Sequence, residues 1–259
     1  MMNKTKAFFQ KHGAVIYTVL GIGFVFLLWW LTSLIVKATV LPTFPGPEDA
    51  IPLFFTLFGE ATTWLAVGGT LLRLVISFAI AFLLGSLMGV IAGVHKSFAH
   101  FMRPLVITLR TLPTAAVILI LIVLLRPLFA PIIIVFLIIF PISYESMATG
   151  IKNVNREVRE AAKIDGATRL QSIIRIKIPL SMPYVLLGIV SSLGLGMKIS
   201  IMSEIIAGSN RISGLGRLIH LAYIEADMTR IVAISIFAII LIGLIDLGMY
   251  FAKKKLKGR

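Results

Sequence analysis

Apolar residues along this chain come in long unbroken blocks, without the period-2 alternation or the narrow helical stripe of a water-soluble fold. Six blocks reach the roughly 20 residues that a helix needs to cross a bilayer. They cover 15–36, 64–94, 104–125, 127–148, 182–206 and 228–251. The polar stretches between them are short except for 150–179, where charged residues and good helix formers mix. The pattern predicts an all-α membrane protein of six transmembrane helices, forming one domain over 1–259.

The second block is longer than a bilayer requires and is expected to tilt or to project beyond it. Gly68, Gly69, Gly85, Gly89 and Gly93 stud it, and Gly85 with Gly89 makes a small-xxx-small pair. In lipid, where no hydrophobic drive pulls helices together, such residues let backbones approach. The basic stretch 1–12 before the first block superficially resembles a secretory signal. The block is too long for that and has no small-residue cleavage site, so it reads as a retained first helix. The segment 37–63 carries Pro42, Pro45, Pro47 and Pro52 and excludes a regular helix at its start, with a short interfacial helix expected over 50–58.

Composition agrees: 58% of residues are hydrophobic and 14% charged, and the mean hydropathy is +1.01. A net charge of +14 would suggest nucleic acid in a soluble protein. Here the cations sit in short loops and at the C-terminus, with no basic face interleaved with aromatics, so no nucleic-acid partner is expected. With the N-terminus inside, the interior segments hold 17 Lys and Arg (Lys4, Lys6, Lys11; Lys96, Arg103; seven over 152–177; five over 253–259), against 5 in exterior ones. The positive-inside rule therefore places both termini in the cytoplasm. Cysteine is absent, which removes disulfides, thiolate metal sites and Cys nucleophiles. There is no phosphate-binding G-x-x-x-x-G-K-[ST] loop, no H-E-x-x-H and no G-x-S-x-G. The four His are scattered, so no metal site and no catalytic centre is expected.

The long polar stretch is more than a connector. Helix formers run over 156–164, Gly166 breaks them, a second helical run covers 167–176, and Pro179 and Pro183 punctuate the approach to the fifth block. Within it, Glu160-Ala161-Ala162, then Gly166, then Ile178-Pro179 resembles the EAA loop of ABC importer permeases in order, spacing and position. Further fragments are similar to the nitrate/sulfonate/taurine branch of the MetI-like superfamily. They are Leu41-Pro42-Thr43 with Pro45, Thr70-Leu71-Leu72-Arg73, Leu109-Arg110-Thr111-Leu112-Pro113, Ser203-Glu204-Ile205-Ile206-Ala207-Gly208 and Gly214-Leu215-Gly216. The third block departs from the branch, ending Leu124-Leu125-Arg126-Pro127 where many relatives carry an aromatic-Phe-Gly sequence.

The resemblance implies a type I importer permease of the cell inner membrane, a transport subunit and not an enzyme. It implies a homodimer around a central path, two ABC ATPase subunits that carry the ATP and Mg, an extracytoplasmic solute-binding protein, and no cofactor on this chain. Residues Glu160, Ala161, Ala162, Lys163, Asp165 and Gly166 would form the coupling helix that docks on the ATPase. Two alanines give that helix little bulk, Gly166 lets the chain turn sharply, and the charges can set register across an interface.

Charges inside lipid cost several kcal/mol unless paired or hydrated. Lys198, Glu204, Arg73 and Pro113 are therefore candidates for the translocation path. Lys198, in a Gly-rich run two-thirds along the fifth block, either attracts an anionic or carbonyl-bearing solute or pairs with a carboxylate such as Glu204. Glu204 either lines a gate or pairs with Arg211 or Arg73. Arg110 is expected to snorkel to headgroups, Glu145 and Asp246 to balance nearby cations, and Pro113 and Pro141 to kink their helices. A competing reading is an ATP-independent secondary transporter or channel, with Lys198, Glu204 and Arg73 as an ion relay. Such a protein has no use for the 160–166 element and calls for inverted repeats, of which there is no sign.

Overall fold

Runs of Leu, Ile, Val and Ala satisfy their own backbone polar groups only as helices or closed barrels when water is absent. The computed structural model describes residues 2–39, 44–125, 128–208 and 213–257, with side chains from 16 to 251. Among the described residues there are helices and no strand. Five helices are long and apolar enough to cross a membrane, and six spans result if one bent pair counts as a single span.

The chain divides into two compact units, Met1–Glu60 with Ala222–Ile236, and Ala61–Leu221 with Phe237–Arg259. In the first, α1 (Met2–Thr39) is followed by α2 (Pro47–Gly59). Pro47 opens α2 where a missing N–H costs nothing. Trp29 Nε1 donates to the Pro45 carbonyl at 3.1 Å and Ser33 Oγ to that of Phe44 at 3.1 Å. Lys37 Nζ reaches Glu48 at 3.0 Å and Asp49 at 2.7 Å. These contacts hold α2 back along the last turns of α1.

The second unit is built on α3 (Ala61–Val94), α6 (Ala130–Lys152) and α9 (Ile178–Ala207), which pack on one another. Leu74, Ala81, Val135, Ile139, Met197 and Ile201 are buried among them. A Cβ at Gly85 would lie 2.8 Å from the Phe140 carbonyl oxygen, and one at Gly89 2.6 Å from that of Tyr144. Gly93 repeats the contact one turn on, 2.7 Å from Ile151. The glycine spacing thus lets α3 lie on α6 backbone to backbone. The outside is as apolar as the inside: Leu83 and Ile239 are 68% and 67% exposed, a surface suited to lipid or a partner helix.

Two stretches differ from the sequence expectation. The block 104–125 is not one helix: α4 (Lys96–Thr111) and α5 (Thr114–Leu124) meet at 95°. Pro113 has no N–H to continue the ladder and drives Leu112 into extended backbone, φ −59° and ψ 131°. In the loop, the second helical run does not end before the fifth span. Helix α8 (Arg169–Ser172) passes through a π-turn (Ile173–Lys177) into α9, a single rod over Arg169–Ala207. The wide turn, in which Ile178 N–H donates to the Ile173 carbonyl, brings the chain to Pro179 without a break. Residues 126 and 127, including the departing Arg126-Pro127, lie outside the described residues, as do Leu41, Pro42, Thr43 and Arg211.

Candidate functional site: a coupling helix, a buried ion knot and a broken span

Helix α7 (Arg156–Ile164) falls on the predicted helix formers. Asn155 caps it, its side-chain oxygen accepting from Glu157 N–H at 3.1 Å. At the other end Gly166 sits at φ +76°. Its N–H reaches the Lys163 carbonyl, and Ala167 N–H reaches that of Ala162. This pair of bonds is a Schellman close, which favours glycine at that position. Thr168 and Gln171 then exchange hydrogen bonds at 2.9 and 3.3 Å and start α8.

The candidate docking residues divide on this scaffold. Ala162 is buried at 6% exposure and tucks α7 onto its own chain. Ala161, Lys163, Asp165 and Gly166 are exposed. Glu160 holds Arg156 at 2.6 Å along the helix. Sequence reasoning missed Ile164, which is 86% exposed one turn beyond Ala161. A second large apolar residue beside Val158 in the otherwise polar REVREAAKI was the available signal. Arg159, Lys163 and Lys177 line a cleft between α7 and the π-turn.

Of the four path candidates, the fold joins two. Arg73 on α3 donates to Glu204 Oε1 on α9 from Nε at 3.0 Å and from Nη2 at 2.7 Å. Thr70 Oγ1 and Gly216 N–H donate to Glu204 Oε2 at 2.8 and 3.0 Å. Arg73 Nη2 also donates to the Ser213 carbonyl at 2.6 Å, and Leu215 N–H to Thr70 Oγ1 at 2.9 Å. Arg73 and Glu204 are 7% and 2% exposed. The pair therefore has the matched geometry and extra donors that a desolvated ion pair needs. A Cβ at Gly214 would fall 2.4 Å from both side chains, and one at Gly69 2.2 Å from the Ser213 carbonyl oxygen. Three separate motif fragments, around Thr70, Ser203 and Gly214, are thus parts of one knot where α10 (Leu215–Ile224) begins.

Lys198 stands apart from this knot. It is exposed, and among the described residues no carboxylate pairs with it. The proposed pairing with Glu204 is replaced by Arg73, which saturates that carboxylate, so the three ionisable groups form no relay. Pro113 marks the α4–α5 break, and its neighbours Leu112 and Thr114 line a cavity of about 310 Å³ with residues of α6 and α9. Arg110 reaches into that cavity and pairs with Glu145 Oε1 at 2.6 Å, where snorkelling alone was expected. Asp246 Oδ1 lies 2.9 Å from where a Gly194 Cβ would be, so α9 and α11 (Met228–Lys257) touch there.

The described residues are helical, with five or six candidate spans and a capped surface helix joined to one of them by a glycine turn, the architecture of a membrane-embedded component. The chain belongs to the binding-protein-dependent transport system inner membrane component family, whose pattern matches residues 81–259. It is a permease subunit of the nitrate/sulfonate/taurine type of ABC importer, a transport subunit and not an enzyme. It is 26% identical to the taurine transport system permease protein TauC of Escherichia coli, over 88% of this chain and 84% of that one. The putative aliphatic sulfonates transport permease protein SsuC of Bacillus subtilis is 29% identical, over 80% and 73%. A bacterial alginate ABC transporter, solved in complex with an alginate pentasaccharide-bound periplasmic protein, shares the fold: TM-score 0.65, 18% identity, 96% of each chain.

Proposed function

We propose that this permease works as a homodimer carrying two ATPase subunits, takes a small anionic or polar solute from an extracytoplasmic binding protein, and receives mechanical work through α7. The observation that carries this reading is the joint between α7 and the rod Arg169–Ala207: a left-handed glycine turn, then unbroken helix into a span. A groove on the ATPase that moves α7 moves α9 with it, because no flexible linker lies between. Residues Glu160, Lys163 and Asp165 set register in that groove, and exposed Ala161 and Ile164 fill it.

Both termini lie in the cytoplasm in this arrangement, by the excess of cations on the α7 side. Lys198, with no carboxylate partner among the described residues, faces the path shared by two copies and draws anions toward it. The taurine and sulfonate permeases among the relatives are named for solutes that bear a sulfonate group. The knot at Glu204 shapes the path without lining it.

The deciding experiment uses vesicles holding permease, ATPase and binding protein. Ala161→Trp overfills the docking face and Gly166→Pro breaks the turn. Each is expected to leave membrane insertion intact, cut uptake at least tenfold and leave ATP hydrolysis running. Normal uptake in both variants overturns the coupling role.

A further inference from the structure

Two cavities meet at one ion pair. The first, about 310 Å³, is walled by Thr114, Ile138, Pro141, Leu195 and Ile199, and Arg110 is the one ionisable residue among those lining it. The second, about 490 Å³, lies between α4 and α6 and is lined by Lys96, His100, Arg103, Lys152 and Glu145. Glu145 reaches out of the second cavity to hold Arg110 of the first.

The balance of charge is uneven. Around the two cavities stand four permanent cations, Arg110, Lys96, Arg103 and Lys152, against the single carboxylate of Glu145. Among the described residues no carboxylate pairs with Lys96, Arg103 or Lys152. Its side chains are 56% and 41% exposed, where those of the Arg73–Glu204 pair are 8% and 1% exposed. An exposed pair contributes little and exchanges readily, whereas a buried one is held. Pro113 adds the reason for the place: the break it imposes lies beside the first cavity, which α4, α5, α6 and α9 wall, and Lys198, with no carboxylate partner among the described residues, follows Leu195 by three residues on α9.

The geometry points to an anion-operated partition: Arg110 receives the acidic group of the solute in place of Glu145, and the solute then passes toward Lys96, Arg103 and Lys152. This rests on the transport reading above and narrows its substrate to small organic or inorganic anions. Glu145 is the resident stand-in for that anion.

The absence of cysteine allows a direct test in the assembled transporter in lipid nanodiscs, with an ATPase partner free of reactive thiols. Thr114→Cys places one thiol in the first cavity. Two methanethiosulfonate reagents of similar size are compared, one bearing a sulfonate and one a trimethylammonium group. In each case the thiolate attacks the reagent's sulfenyl sulfur, a disulfide forms and methanesulfinate leaves. The ratio of the two rates is the readout, normalised to a small thiol in water, because a nearby cation also raises the thiolate fraction for both.

The expected ratio favours the sulfonate reagent by on the order of tenfold. Arg110→Gln brings it near the value in water, Arg110→Lys preserves it, and Glu145→Gln raises it further. Excess ethanesulfonate slows the anionic reagent in the parent and not in Arg110→Gln. A control thiol from the exposed Glu225→Cys is unmoved by any of these changes. A ratio near that in water, a ratio indifferent to Arg110→Gln, or no labelling by either reagent overturns the partition. Persistence of the preference in a transporter whose uptake ignores ATP sinks the coupling reading and leaves this site standing.

Discussion

At the scale of single residues, the sharpest feature is a carboxylate that has no solvent. Glu204 meets Arg73, Thr70 and the Gly216 N–H, and desolvated charge of this kind is costly to orphan. Glu204→Ala is expected to lower stability by about 3–5 kcal/mol, read from unfolding in micelles. Arg73→Met with Glu204→Leu recovers most of it, since an apolar pair of similar size needs no partner. If the double variant is as unstable as the single one, the knot is more than an ion pair. The sequence named both residues but left Glu204 three candidate partners, Arg73, Arg211 and Lys198. A bond that spans 131 positions is chosen by helix packing, which no local pattern encodes. Lys198 was legible as a charge in an apolar run, and its isolation from Glu204 was not.

At the scale of elements, spacing carried far. The glycine stripe of α3, the helix formers of α7 and the glycine that closes it all follow from local rules. Gly89→Leu is expected to wedge α3 from α6 and cost about 1–3 kcal/mol, since its first side-chain carbon meets the Tyr144 carbonyl oxygen at 2.6 Å. An unchanged unfolding midpoint would show that α3 slides to make room. Hydropathy alone misjudged the third block, because a proline break leaves the apolar count intact while turning the chain by 95°. It also ended the second loop helix too early, since a π-turn has no signature in a window of residue types.

The α1–α2 clamp gives a pH prediction. Glu48 is held below the ordinary carboxylate range chiefly by a bond to its own backbone N–H and then by Lys37, and Asp49 chiefly by Lys37. Lowered values mean that the clamp is complete above the ordinary range near 4 and is lost as pH falls through the lower folded values. Spin labels on α1 and α2 should keep their distance down to the ordinary carboxylate range near pH 4 and separate only as the pH falls below it. A distance constant down to about pH 2 removes the clamp as the cause.

At the scale of the whole molecule, the class and the helical spans were readable because lipid permits so few structures. The positive-inside arithmetic predicts that a thiol from Ile164→Cys reacts with an impermeant reagent from the ATPase side only, and one from Ser213→Cys from the opposite side only. Labelling of both from one side overturns the orientation. What sequence did not reveal was the meeting of motif fragments in one place and the two cavities at Arg110, since both arise from distances between elements.

The rod Arg169–Ala207 is 39 residues long, about 58 Å at 1.5 Å per residue. Such a beam acts as a see-saw: pivoted at its midpoint, a swing of about 10° carries each tip some 5 Å in opposite senses. Under the proposed coupling, a nudge at the motor side would arrive at the far face as a displacement as wide as a small solute, with gearing near unity along the rod.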